Sequence, residues 1–145
     1  MEYMEASEIL LSRIPREEIE RLKDGMKEFS PDFMGFIDTY YYLSKIIPKD
    51  FVVIDFGAGW NAQSYFFTNH KKYIAVNPHS EEGDDAMFCP PNCEIYRMTT
   101  LDFLNRVNYP KEKVFAICNY VPNWYNQDSI ALVKANFRNI FTFYP

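Results

Sequence analysis

The chain lacks several things that would have named a function class at once. It has no excess of positive charge: 15 Lys and Arg stand against 20 Asp and Glu, a net charge of -5 and a pI near 5.0. A protein that binds nucleic acid through its phosphates presents a basic face. The longest basic cluster here is His70-Lys71-Lys72, so DNA or RNA is disfavoured as a partner. No apolar run approaches the ~20 residues that span a bilayer, so no membrane segment is expected. The first residues, interrupted by Glu2, Glu5 and Glu8, do not read as a signal peptide. Only three cysteines are present, Cys89, Cys93 and Cys118. Cys89-Pro-Pro-Asn-Cys93 has the look of half a zinc site, but no second Cys/His pair completes it, and no metal is expected. Repeats and low-complexity tracts are missing too. So are a Ser-His-Asp set, a Gly-x-x-x-x-Gly-Lys loop and a carboxylate pair. The expectation is a protein of a reducing, cytoplasmic compartment.

What is present suits a globular domain. Hydrophobic residues make up 48% of 145 residues and charged ones 24%, so residues 1–145 read as one domain with a substantial core. The aromatic share, 18%, suits bulky core packing as well as an aromatic pocket. Residues 1–47 read as helices: one over Tyr3 to Leu11, and one from Pro15 with Ile19, Leu22, Met26 and Phe29 on a stripe. A third follows Ser30-Pro31-Asp32, with Phe33, Phe36, Ile37, Tyr40, Leu43 and Ile47 facing a core until Pro48.

From residue 51 the periodicity changes. Phe51-Val52-Val53-Ile54, Tyr73-Ile74-Ala75-Val76 and Val114-Phe115-Ala116-Ile117-Cys118 are continuous apolar runs, the pattern of strands covered on both faces. Glu94 to Met98 and Ile140 to Tyr144 read as two further strands. Helical stretches lie between them: Ala62 to Thr68, one capped by Thr100 and running to Val107, and one from Gln127 or Asp128 to Phe137. Alternating strands and helices predict an α/β, Rossmann-like three-layer sandwich. Its parallel sheet would have about five strands in the order 3-2-1-4-5, with an N-terminal helical segment. Ligands of such sheets sit beyond the carboxyl ends of the strands, where the order reverses.

At that place, after the first strand, stands Asp55-Phe56-Gly57-Ala58-Gly59-Trp60-Asn61-Ala62. The glycines allow a sharp turn and close approach of a ligand to the backbone. With Ala62 last, the run also fits the dinucleotide fingerprint G-x-G-x-x-A. Val53-Ile54-Asp55-Phe56-Gly57-Ala58-Gly59 resembles the first motif of class I, S-adenosylmethionine-dependent methyltransferases, apolar–apolar–acidic–x–Gly–x–Gly. The resemblance covers roughly residues 51–145. It implies S-adenosylmethionine as cofactor, with Asp55 holding the loop and Gly57, Ala58 and Gly59 lying under the methionine part. The position of that family's third glycine is Asn61, and its ribose-binding acid falls on Asn77. Thr99 and Thr100 stand where an Asp near the adenine amine is frequent, with Asp102 slightly further on.

After the fourth strand, Asn119-Tyr120-Val121-Pro122-Asn123-Trp124-Tyr125 shares Asn, Pro and aromatics with amino-methylating members, but not their spacing. Asn119, Tyr120 and Trp124 therefore read either as pocket lining or as an ordinary β–α loop. His79 reads as a general base beside the site or as a solvent-facing loop residue. Tyr40, Tyr41 and Tyr42 point three ways on a helix, so at most two can shield a pocket. The resembling family continues with a hairpin after strand five. Here Phe141 to Tyr144 would be an aromatic edge strand, covered by a partner copy in a homodimer or by the N-terminal helices. Three functions follow: methyl transfer to a small-molecule or protein acceptor, a catalytically inactive module binding another protein, or NAD binding. No catalytic residue is assigned.

Overall fold

The computed structural model describes residues 2–21, 31–59, 61–78, 88–118 and 126–143. Five strands form one parallel sheet: β1 Val52–Phe56, β2 Lys72–Val76, β3 Cys93–Tyr96, β4 Val114–Cys118 and β5 Ile140–Thr142. Their spatial order is β3-β2-β1-β4-β5, as predicted. β1 is central, with Asp55 aligned to Ala75 on one side and Ile117 on the other. All five of its residues are buried, which is why this segment carries no alternation of apolar and polar residues.

Alternation returns when the two faces are separated. Val53, Tyr73, Ala75 and Ile117 point into one core with α1 (Glu2–Arg13) and α3 (Pro31–Ile46). Val52, Ile54, Phe56, Ile74, Val76, Ala116 and Cys118 point into the other. That second core is closed by α4 (Thr100–Arg106) and α5 (Asn126–Asn136) through Phe103, Val133 and Phe137. The result is the three-layer Rossmann-like sandwich with helices on both sides of the sheet.

The N-terminal helices agree with the expectation where they are described. α2 covers Arg16–Arg21, directly after Pro15, while Leu22, Met26 and Phe29 lie outside the described residues. On α3, Ile37, Tyr40 and Leu43 are buried, as is Ile47 just past its end. Tyr41 packs its ring against Phe66 at 5.3 Å, and Tyr42 is exposed. Phe143, just beyond β5, meets the rings of Phe36 and Tyr40 at 5.3 and 5.1 Å. Helix α3 therefore covers this aromatic end of the sheet.

One local expectation is sharpened and two are corrected. The helical stretch expected over Ala62 to Thr68 is a 3₁₀ helix, Ala62–Phe67, with all six residues buried. Its side chains are held on every side, which suits a short, tight helix. The N-cap of α4 is Thr99, whose hydroxyl accepts from the Asp102 N–H at 3.1 Å, not Thr100, which is the buried first helical residue. The third and fifth strands are shorter at their carboxyl ends, stopping at Tyr96 and Thr142.

The second core leans on one side chain. Phe103 is fully buried, with ring centroids of Phe56, Tyr96 and Tyr109 at 5.7, 5.4 and 5.4 Å. Phe103→Ala is expected to lose about 3–5 kcal/mol of folding stability, read from the urea midpoint at unchanged slope. A loss under about 1 kcal/mol would mean that these rings do not close the core.

Candidate functional site

The site grows from one acid in an apolar strand. Asp55 is the fourth residue of β1 and is fully buried on the α1/α3 face of the sheet. An uncompensated carboxylate there would be costly, and three elements supply donors. Tyr40 of α3 donates to Oδ1 at 2.9 Å, Gln63 of the 3₁₀ helix to Oδ2 at 2.9 Å, and Tyr73 of β2 to Oδ2. Gln63 Nε2 also donates to the Ala58 carbonyl at 2.9 Å. The buried carboxylate is thus joined through one amide to the glycine loop above it.

The loop has the backbone its residues allow. Gly57 and Gly59 have φ of 86° and 60°, and Asn61 has φ of 67°. The left-handed region is open to glycine and better tolerated by Asn than by most residues, which suits Asn61 to this turn. The Gly57 N–H donates to the Val76 carbonyl at 2.8 Å, and the Gly59 N–H to Asn77 Oδ1 at 3.3 Å. A Cβ at Gly59 would meet no atom of the described residues within 4 Å.

Asn61 joins the loop to the segment before β3. Its Nδ2 donates to the Phe88 carbonyl at 2.8 Å and to Cys93 Sγ at 3.4 Å. Its Oδ1 is buried with no hydrogen-bond partner among the described residues.

Asp55, Gly57, Ala58, Gly59, Asn61 and Asn77 therefore gather at the carboxyl ends of β1 and β2. Thr99 follows β3, but its hydroxyl is engaged in capping α4. Asn119, Tyr120 and Trp124 lie outside the described residues, as does His79. Sequence reasoning missed Gln63, Tyr73 and Cys93. A signal for Tyr73 was present: it aligns with Val53, and therefore shares a face with Asp55 by simple alternation. Nothing local marks Gln63.

No group of three or more His, Cys, Asp or Glu side chains able to hold a metal occurs among the described residues. Among them, too, no helix is long and apolar enough to cross a membrane. Two clefts of about 440 and 360 Å³ are lined by residues such as Lys72, Glu94, Asn108, Lys111 and Arg138. They open beside the amino ends of β2 and β4 and do not reach the glycine loop. Strand polarity is the better guide in an open parallel sheet, and it favours the loop.

Burial raises the Asp55 carboxyl from its ordinary 3.8 to about 6, against the opposing pull of hydrogen bonds from Tyr73, Gln63 and Tyr40. Burial and the neighbouring Asp55 charge in turn raise Tyr73 well above the usual phenol range. A carboxyl whose folded-state value is raised favours folding when protonated. That contribution is complete below about pH 4 and is lost as pH rises through about 6. Its size is about 3 kcal/mol. Urea unfolding from pH 7 to pH 4 is expected to show the native chain gaining about that much over Asp55→Asn. A difference independent of pH would contradict burial as the dominant influence on this acid.

Comparison with known proteins places the fold. No family model matches the chain, and no curated protein is similar to it. A solved structure described as "a Putative Type II Methyltransferase from Anaeromyxobacter dehalogenans" superposes with a TM-score of 0.52 at 19% identity. The match covers 69% of this chain and 42% of that one, so this chain spans well under half the length of its structural neighbour. The sheet order and this likeness together give the chain a methyltransferase-like, Rossmann-type fold.

Proposed function

We propose that the chain binds S-adenosylmethionine over the Gly57–Gly59 loop and serves methyl transfer to a small-molecule or protein acceptor. The observation that carries this reading is the loop itself, turned left-handed at Gly57, Gly59 and Asn61, with none of the described residues within 4 Å of a Cβ at Gly59. The residues fit the cofactor at this end. Gly59 permits close approach, Asn61 Oδ1 is a buried acceptor without a donor among the described residues, and Asn77 lies beside the loop at the tip of β2. When bound, S-adenosylmethionine supplies a methyl group activated by its sulfonium charge. The protein's part is then proximity and orientation. Gln63 and Asp55 hold the loop from beneath, so it needs no ordering on binding.

One observation favours a second reading, a module that keeps the fold and works by binding another protein. Asn77 offers a neutral acceptor where the resembling family has a carboxylate, and its Oδ1 is already engaged by the Gly59 N–H. Neutral acceptors hold hydroxyls more weakly than charged ones.

Calorimetric titration with S-adenosylmethionine and S-adenosylhomocysteine separates these readings. Micromolar binding is expected, weakened about tenfold or more in Gly59→Ala, whose methyl would stand between loop and ligand. The variant should stay folded, losing about 1–2 kcal/mol from its left-handed residue. Asn77→Asp is expected to tighten binding about tenfold, because an ionised acceptor makes the stronger hydrogen bond. No binding at millimolar ligand by either the native chain or Asn77→Asp would favour the protein-binding module, and preference for NAD would mark a dinucleotide site.

A further inference from the structure

The pair Cys89 and Cys93 is used by nothing described so far. The two flank Pro90-Pro91-Asn92, and the Cys93 N–H donates to the Pro90 carbonyl at 3.0 Å, closing a tight turn between them. The prolines restrict the backbone of that turn. Cys89 Sγ lies 3.5 Å from the Cys93 carbonyl oxygen, with Cys89 exposed and Cys93 half-buried. Burial pushes the Cys93 thiol up to about 12 against the pull of the Asn61 amide, and the adjoining Cys89 sulfur pushes the same way. The turn and the approach of Cys89 Sγ to the Cys93 backbone bring the two residues together. Cys93 Sγ is also the acceptor of an Asn61 hydrogen bond, so this turn touches the residue that ends the glycine loop.

We propose that Cys89 and Cys93 are a redox-active dithiol whose oxidation to a disulfide loosens the glycine loop through Asn61. The oxidant is a low-molecular-weight disulfide. Cys89, the exposed thiol, attacks as thiolate. An S–S bond forms between Cys89 and one half of the oxidant, and the other half leaves as thiolate. The sulfur of Cys93, giving up its proton to solvent, then attacks Cys89 Sγ and expels the second half. Two protein thiols are oxidised, one small disulfide is reduced to two thiols, and the two protons lost by the cysteines end on the released thiolates.

In the disulfide, Cys93 Sγ turns to Cys89 and no longer accepts from Asn61 Nδ2. Asn61 keeps its bond to the Phe88 carbonyl and loses the second. It holds a left-handed φ of 67° at the start of the 3₁₀ helix that carries Gln63, so the loosening passes to the loop's own brace. Cys118 lies buried in the other core and takes no part.

The test uses the full chain in glutathione buffers of increasing oxidised fraction, followed by acid quench, thiol alkylation and mass mapping. The expected result is joint loss of the Cys89 and Cys93 thiols with Cys118 still alkylated. Cys93→Ser should trap one glutathione on Cys89, and Cys89→Ser should remain reduced. Hydrogen exchange of the oxidised protein should be about threefold or more faster over residues 57–63. A stable glutathione adduct on Cys89 of the native chain, with no internal disulfide, would overturn the proposal. So would a disulfide that leaves exchange over 57–63 unchanged. If S-adenosylmethionine binds as proposed above, its affinity should fall about fivefold or more on oxidation. If it binds neither form, the cofactor reading fails while the thiol and exchange results still decide this one.

Discussion

One buried charge organises this molecule. Asp55 lies at the centre of the sheet, on a strand otherwise made of Val, Ile and Phe, and receives hydrogen bonds from α3, β2 and the 3₁₀ helix. Removing any one donor would leave a buried carboxylate short of a partner, which costs more than an ordinary hydrogen bond contributes. The three elements are thus tied to one another by the need to satisfy a single group. Because the same Gln63 amide serves Asp55 and the Ala58 carbonyl, the core of the fold and the shape of the loop are one construction.

The two-faced sheet explains why this acid can exist at all. Odd and even residues of β1 enter separate cores, and Asp55 falls on the face where phenols from Tyr40 and Tyr73 are close. Moved by one residue, it would meet the second core, built from Val52, Ile54, Phe56, Phe103 and Phe137. A register slip would therefore bury the carboxylate among apolar side chains. The acid weakens stability near neutral pH, but it also penalises wrong alignments of the central strand.

Much of this was legible in the sequence, for a physical reason. Strands covered on both faces must be apolar throughout, so β1, β2 and β4 announced themselves as unbroken runs, and the alternation with helices gave the sheet order. Asp55 stood out through its place in the run apolar–apolar–acidic–x–Gly–x–Gly. What stayed hidden depends on contacts rather than on local pattern. Gln63 is an ordinary polar residue until the chain turns it beneath Asp55. The 3₁₀ character of Ala62–Phe67 cannot be read from six residues whose side chains are all buried, since no exposed face sets a period. Thr99 and Thr100 are both able to cap a helix, and only backbone geometry chose the first. Asn61 was noted as a substitute for glycine, yet its grip on Phe88 and Cys93, far along the chain, left no mark in the sequence around it.

The two loop glycines do not bear equally on function. Gly57 has φ of 86° and anchors to the Val76 carbonyl, so the turn from β1 would ask for it with or without a ligand. Gly59 has φ of 60°, close to the 67° of Asn61, and a Cβ on it would meet none of the described residues within 4 Å. Packing against the described residues gives no reason to exclude a side chain there. The constraint the chain itself supplies at Gly59 is the left-handed backbone, which strains most side chains. On the reading proposed above, Gly59 is the place where a molecule lying over the loop would meet bare backbone, and its substitution tests that reading more directly than a change at Gly57.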